Sequence, residues 1–309
     1  MTTKVGINGF GRIGRNILRA LIESGRDDIE VVAINDLAPI ETNAHLFEFD
    51  SVQGRFRQDV TWTNKTMDVG RGSIRVTAER APEDLPWADV DIALECTGIF
   101  RTPDAAARHL KNGSGKVLLS APAKGEMKTI VYGVNDALLN AKDTLVSNAS
   151  CTTNCLAPPT HALHNSFGIK RGHITTVHSY TGDQSIHDKA HRDLNSARAA
   201  ALSMIPTTTG AATTLGIVLP ELDGLISGTA IRVPTPNVSC IDMVVELSRD
   251  ASAEDVNTAL TYAAKGMHGV MDVTSRKMVS IDFNHDPHSM IVAPYQTDVQ
   301  QGNLLRVFA

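Results

Sequence analysis

Several features are scarce in this chain, and each scarcity removes a class of function. Cysteine occurs only four times in 309 residues, at positions 96, 151, 155 and 240. That is too few for a disulfide scaffold, and a reducing cytoplasmic setting, where the chain is expected to reside, keeps thiols free. Basic charge is not in excess: 29 Lys and Arg face 34 Asp and Glu, leaving a net −5. Nucleic acid is therefore not expected as a partner. No apolar run approaches the roughly 20 residues that a membrane span requires, so no membrane partner is expected either. The opening MTTKVGINGF has no charged leader ahead of an apolar core and cleavage site, which argues against secretion. Internal repeats, low-complexity tracts and an obvious flexible linker are also missing.

What is present is a chain that is 42% hydrophobic and 20% charged, long enough for a large core and for two domains. Short β-rich runs alternate with helical patterns in the first half. KVGING is followed by RIGRNILRALIES, with apolar residues at 13, 17, 18, 21 and 22, and then by IEVVAIND, a βαβ unit. VDIALECTG, KVLLSAP, TIVYGV and TLVSNA read as further buried strands of a mostly parallel, doubly wound sheet ending near residue 150. Beyond Cys151 come a helical stretch, the strand ITTVHSY, a polar segment from about 180 to 203, then GTAIRVPTP and SCIDMVVELS. These longer alternating strands suit an antiparallel sheet. Ser252 and Asp255 have the spacing of a capped helix start, with Gly266 as its stop.

Gly9-Phe10-Gly11-Arg12-Ile13-Gly14 spells G-x-G-x-x-G between a strand and a helix, and Asp36 stands 22 positions after Gly14 at the end of the next strand. Glycines here permit a tight turn and let backbone amides approach a pyrophosphate at the helix N-terminus, while the acid can accept from a ribose hydroxyl. The competing reading is a strand-turn-helix whose glycines serve packing alone. An acid at 36 would repel a 2′-phosphate, which favours NAD over NADP without excluding dual use.

Cys151, Cys155, His161 and His164 form a C-x3-C-x5-H-x2-H string. At about 100° per residue the second cysteine lies roughly 40° from the first, but the histidines fall roughly 80° and 140° away on the other side. One straight helix cannot converge them, although Pro158-Pro159 could bend it, and no metal is expected. His187 and His191 have i, i+4 spacing but no Glu in the general-base position, which fits solvated residues. Cys151 falls where a strand, TLVSNA, meets a helix start, so amides and dipole favour its thiolate. His178, at the end of ITTVHSY, is either its base or a satisfied structural residue. Cys155, flanked by Leu156 and Ala157, reads as a packing residue.

Taken together, INGFGRIGR, SNASCTTNC, VHSYT, PTTTGAA and IRVPTPNVS closely resemble the phosphorylating glyceraldehyde-3-phosphate dehydrogenase family over nearly the whole chain. The resemblance implies an α/β fold: a Rossmann doubly wound parallel sheet domain over 1–150, and an α+β catalytic and tetramerisation domain with a largely antiparallel sheet over 151–309. It implies a homotetramer that oxidises D-glyceraldehyde 3-phosphate with NAD and inorganic phosphate to 1,3-bisphosphoglycerate, a step of glycolysis and gluconeogenesis. Cys151 then corresponds to the nucleophile and His178 to its base. The cofactor contacts correspond to Gly9, Gly11, Arg12, Ile13, Gly14, Asp36, Arg80 and Ser120. The substrate and phosphate donors correspond to Ser150, Thr152, Thr181, Thr209, Gly210 and Arg232.

Three departures stand beside the match. Asn195 and Ser196 occupy positions where many family members carry arginine, which implies weaker anion affinity unless Arg198 replaces the contact. Lys189-Ala190 stands where NAD-specific relatives often have Leu-Pro, and a lysine there tolerates the extra phosphate of NADP. Relatives continue beyond LLRVFA with a tryptophan-rich, Asn-containing segment and a last helix, so a longer chain is expected. Two alternatives follow. One is erythrose-4-phosphate dehydrogenase, in which water cleaves the thioester; DFNHDPHS at 282–289 occurs in both groups, whereas Thr209-Gly210 fits the triose enzymes better. The other is an NAD-binding protein with reduced turnover.

Overall fold

The computed structural model describes residues 2–309. Backbone contacts divide the chain into two compact units, one of residues 1–130 and 138–149, the other of 131–137 and 150–309.

In the first unit the labelled elements are β1 (Thr3–Asn8), α1 (Arg12–Glu23), β2 (Ile29–Asn35), β3 (Ser73–Thr77), β4 (Ile92–Glu95), β5 (Lys116–Leu119) and β6 (Leu145–Ser147). A nine-stranded sheet runs from Lys128–Thr129 through β6, β5, β4, β1, β2 and β3 to Thr66–Asp68 and Thr61–Trp62. All neighbours are parallel as far as β3, and the last two strands are antiparallel. The strand order reverses direction at β1, between β2 and β4, and that reversal is where doubly wound sheets open a ligand crevice at the strands' carboxyl ends. Register there places Asn8 opposite both Asn35 and Glu95. The stripe Gly14, Leu18 and Ile22 buries α1 with the sheet residues Val5, Ile7 and Ile34. Gly14 is required in that stripe because a Cβ would sit 2.2 Å from the Gly9 carbonyl oxygen. Ile13, periodic with the stripe in the sequence, is half exposed.

TIVYGV does not form one strand. Only Lys128–Thr129 is extended, because the side chains of Asn135 and Asp136 accept the Val131 and Gly133 amides and turn the chain into the second unit.

The second unit contains α2 (Cys151–Phe167), β7 (Ile169–Ser179), β8 (Ile205–Thr208), α3 (Ala211–Val218), β9 (Ile226–Val233), β10 (Cys240–Leu247), α4 (Ala253–Gly266), β11 (Asp298–Gln300) and β12 (Leu304–Phe308). Its six-stranded sheet has the order β8-β9-β7-β10-β12-β11. Only β7 and β9 pair in parallel. That register sets His178 directly beside Arg232. Helix α2 runs through Pro158 and Pro159, which have no amide to donate to the preceding turn, and the next residue, Thr160, donates its hydroxyl to the Leu156 carbonyl at 2.7 Å. Leu156, Ala157 and Leu163 bury its inner face. The expected capping box is present on α4, where Ser252 and Asp255 each accept from the other's amide.

Candidate active site

Two clusters form, one in each unit. In the first, Gly9 to Gly14 turn the chain from β1 into α1. The N-cap, Gly11, supplies no side-chain cap, and the first turn of α1 carries no acid. The helix therefore leaves its leading amides without a side-chain partner, which is the arrangement that receives a phosphate anion. A Cβ at Gly11 would meet nothing within 4 Å, so bare backbone faces open space there. Asp36 is bound to this loop: one carboxylate oxygen accepts the Phe10 amide at 2.8 Å and the other the Ala38 amide at 2.9 Å. Each keeps a second lone pair for a ribose hydroxyl. These features fit a dinucleotide.

Arg12 is paired with Asp50, a partner that no sequence spacing suggested. Burial alone would raise the Asp50 carboxyl, but the Gln53 and Val52 amides and the Arg12 guanidinium hold it below the usual carboxylate value. Arg80 is exposed. Ser120 is tied to β4, with its amide and hydroxyl donating to the Glu95 carbonyl at 3.1 and 3.2 Å.

In the second unit Ser150 caps α2, its hydroxyl accepting the Thr153 amide at 3.1 Å, and Cys151 is the first helical residue. The Cys151 Sγ lies 3.2 Å from His178 Nε2. Desolvation pushes the Cys151 thiol up, but the hydrogen bond and charge of His178, with the Thr152 hydroxyl and amide, outweigh it and set the thiol below its ordinary value. On the other side of the imidazole, Nδ1 is 2.8 Å from the Ser179 carbonyl, and Arg232 Nη1 contacts both that nitrogen and, at 2.9 Å, the same carbonyl. With its proton on Nδ1 the ring donates to the Ser179 carbonyl, Arg232 donates to that carbonyl and not to the ring, and the Nε2 lone pair faces the thiol. The other cysteines differ in environment: burial pushes Cys155 up to about 12 and Cys96 to about 11, and raises Cys240.

Cys151, His178 and Arg232 thus converge, with Ser150 and Thr152 beside them in the chain. The remaining donors stand further off. Thr181 binds Gln184 through both its amide and its hydroxyl. Thr209 accepts the Ala211 amide, and Gly210 is the N-cap of α3. A Cβ on Gly228 would approach the Thr209 methyl at 3.3 Å, four residues along β9 from Arg232, or about 13 Å. Ser196 is buried and donates to Asp193, and Arg198 pairs with Asp188. Of the former C-x3-C-x5-H-x2-H string, His164 accepts the Ile169 amide and His161 contacts Asn165.

Comparison with known proteins agrees in both units. The family model for the NAD binding domain of glyceraldehyde 3-phosphate dehydrogenase matches residues 3–103, and the model for its C-terminal domain matches residues 150–309. The glyceraldehyde-3-phosphate dehydrogenase of Cereibacter sphaeroides is 60% identical over 310 residues, covering 100% of this chain and 93% of the relative. That of Xanthobacter flavus is 58% identical with the same coverage, and that of Geobacillus stearothermophilus is 50% identical over 99% of this chain and 92% of its own length. The glycine turn with Asp36, the Cys151–His178 pair and these matches lead to one conclusion: the chain belongs to the glyceraldehyde-3-phosphate dehydrogenase family, NAD-dependent oxidoreductases.

Proposed function

We propose that the chain oxidises D-glyceraldehyde 3-phosphate to 1,3-bisphosphoglycerate with NAD and inorganic phosphate, as a cytoplasmic enzyme of glycolysis and gluconeogenesis. The observation that carries this reading is the 3.2 Å contact between the Cys151 Sγ, at the mouth of α2, and His178 Nε2. His178 takes the thiol proton, and the thiolate attacks C1 of the aldehyde. A C–S bond forms, the carbonyl electrons move to oxygen, and that oxygen takes the proton back from His178 to give a thiohemiacetal. NAD, when bound to the first unit, supplies the acceptor for the hydride that then leaves C1. His178 removes the hydroxyl proton in the same step, which leaves a thioester on Cys151. Phosphate attacks the thioester carbonyl and Cys151 departs as thiolate. The Cys151 amide, at the positive end of α2, stabilises the oxyanion in both additions.

Gly11, Ile13 and Gly14 hold the pyrophosphate through backbone amides in this reading, Gly9 shapes the turn while its own amide donates to the Asn35 carbonyl at 2.8 Å, and Arg12 offsets the charge. Asp36 binds a ribose, and Arg80 and Ser120 border the adenosine and nicotinamide ends. Arg232 is the guanidinium for the substrate phosphates, assisted by Ser150, Thr152, Thr181, Thr209 and the Gly210 amide. A homotetramer is supported by exposed apolar side chains in the polar segment, Ile186, Leu194, Leu202 and Met204, which a subunit interface would cover. The test is sustained, multiple-turnover NADH formation from glyceraldehyde 3-phosphate with and without inorganic phosphate. Strict phosphate dependence is expected. Equal rates in its absence, with preference for erythrose 4-phosphate, would replace this reading with the hydrolysing enzyme.

A further inference from the structure

Beneath the crevice of the first unit lies a buried polar chain that the chemistry above does not use. Asn35, Asn8 and Glu95 are register partners at the ends of β2, β1 and β4, and each is at most 4% exposed. Asn35 Nδ2 donates to Asn8 Oδ1 at 2.8 Å, and Asn8 Nδ2 donates to Glu95 Oε2 at 2.7 Å. His109 Nε2 reaches the same Glu95 oxygen at 3.0 Å. Glu95 Oε1 accepts the Thr97 amide at 2.8 Å and also the Thr97 hydroxyl. His109 is wholly buried and stacked on Trp87, and its Nδ1 has no partner among the described residues. A proton on Nδ1 would be an unsatisfied buried donor, whereas a proton on Nε2 is donated to Glu95.

The Glu95 side chain leads to the walls of the crevice through Asn8, which in turn holds Asn35, and through Thr97. Asn8 precedes Gly9, and Asn35 precedes Asp36. Thr97 packs so closely under the glycine turn that a Cβ on Gly9 would lie 2.7 Å from the Thr97 nitrogen. The Glu95 main-chain carbonyl holds both the amide and the hydroxyl of Ser120. Burying a carboxylate is costly even with four donors, and an apolar residue would serve stability at least as well. An acceptor-only group that gathers donors from separate loops is suited to fixing their spacing.

We propose that the Glu95 side chain, backed by His109, is a positioning residue for the dinucleotide, setting the distance between the glycine turn and Asp36. The inference rests on the NAD reading of that crevice and deepens it. In Glu95→Gln the new amide group faces donors whichever way it turns: Asn8 and His109 on one side, Thr97 on the other.

The test measures NAD binding to the protein by titration calorimetry, steady-state kinetics, and the rate of Cys151 alkylation without NAD as a check on the other unit. Glu95→Gln is expected to raise the NAD dissociation constant and KM about tenfold or more, with kcat at saturating NAD within about twofold and alkylation unchanged. His109→Leu, which removes the donor, is expected to weaken NAD in the same way, and His109→Gln, which restores an N–H, to recover most of the affinity. Wild-type NAD affinity in both Glu95→Gln and His109→Leu would overturn the proposal. So would a fall in active fraction with the dissociation constant unchanged, the signature of a merely structural role. Absence of NAD binding in the wild type would overturn the cofactor reading itself, and this inference with it.

Discussion

At the scale of the residue, opposing forces on Cys151 make a definite prediction. Desolvation alone would raise this thiol, and the hydrogen bond and charge from His178 reverse the sign. Alkylation depends on the thiolate, so its rate at Cys151 should rise with pH and level off at a lower pH than for a thiol in an unfolded chain. In His178→Asn the desolvation remains while the largest compensating interaction is gone, and the inflection should move to higher pH. Cys155 and Cys96, pushed up to about 12 and about 11, should stay unmodified under the same conditions. Reagent consumed first at Cys155 would contradict the assignment. His178→Asn should also lower kcat by roughly 10²–10⁴-fold, the usual contribution of a general base.

Among elements, the glycine turn and the capped helix α4 give separable outcomes. Gly14 is enclosed by the Gly9 carbonyl, so Gly14→Ala forces α1 away from β1 and should cost about 1–3 kcal/mol in denaturant unfolding. Gly11 faces open space, so Gly11→Ala should fold almost normally yet lose NAD affinity, because the added methyl occupies the side from which a pyrophosphate approaches. Similar stability losses in both variants, with NAD affinity intact, would contradict the placement of the cofactor. On α4, Ser252→Ala removes the hydroxyl that caps the Asp255 amide and should destabilise by about 1 kcal/mol in the same assay.

Legibility in the sequence also divides at this scale. The glycine turn and the cap of α4 are local patterns set within a few residues, and Asp36 was readable from its fixed spacing at the end of the next strand. The α2 start with Cys151 was readable because a strand and a helix meet there. The contacts made by pairing distant strands were not readable: Arg232 beside His178 depends on the parallel register of β7 and β9, and Glu95 beside Asn8 on that of β1 and β4. TIVYGV misled because its apolar content suits a strand, while the decisive interactions are the turns closed by Asn135 and Asp136.

For the whole molecule, the two units divide the labour that the proposed reaction needs, with dinucleotide contacts in one and the nucleophile with its base in the other. Light scattering at micromolar concentration should report four chains per particle, and a stable monomer would remove the subunit-interface role given to Ile186, Leu194 and Leu202. With Asp36 in the ribose role proposed for it, NADP should bind more weakly than NAD, and Asp36→Asn should narrow the difference. The central claim is that Cys151, activated by His178, carries the substrate covalently. It is tested most directly by rapid mixing of enzyme, NAD and glyceraldehyde 3-phosphate without inorganic phosphate. The account predicts a burst of about one NADH per chain, ending when the thioester fills the site, and its disappearance in Cys151→Ser. An undiminished burst in Cys151→Ser would contradict it.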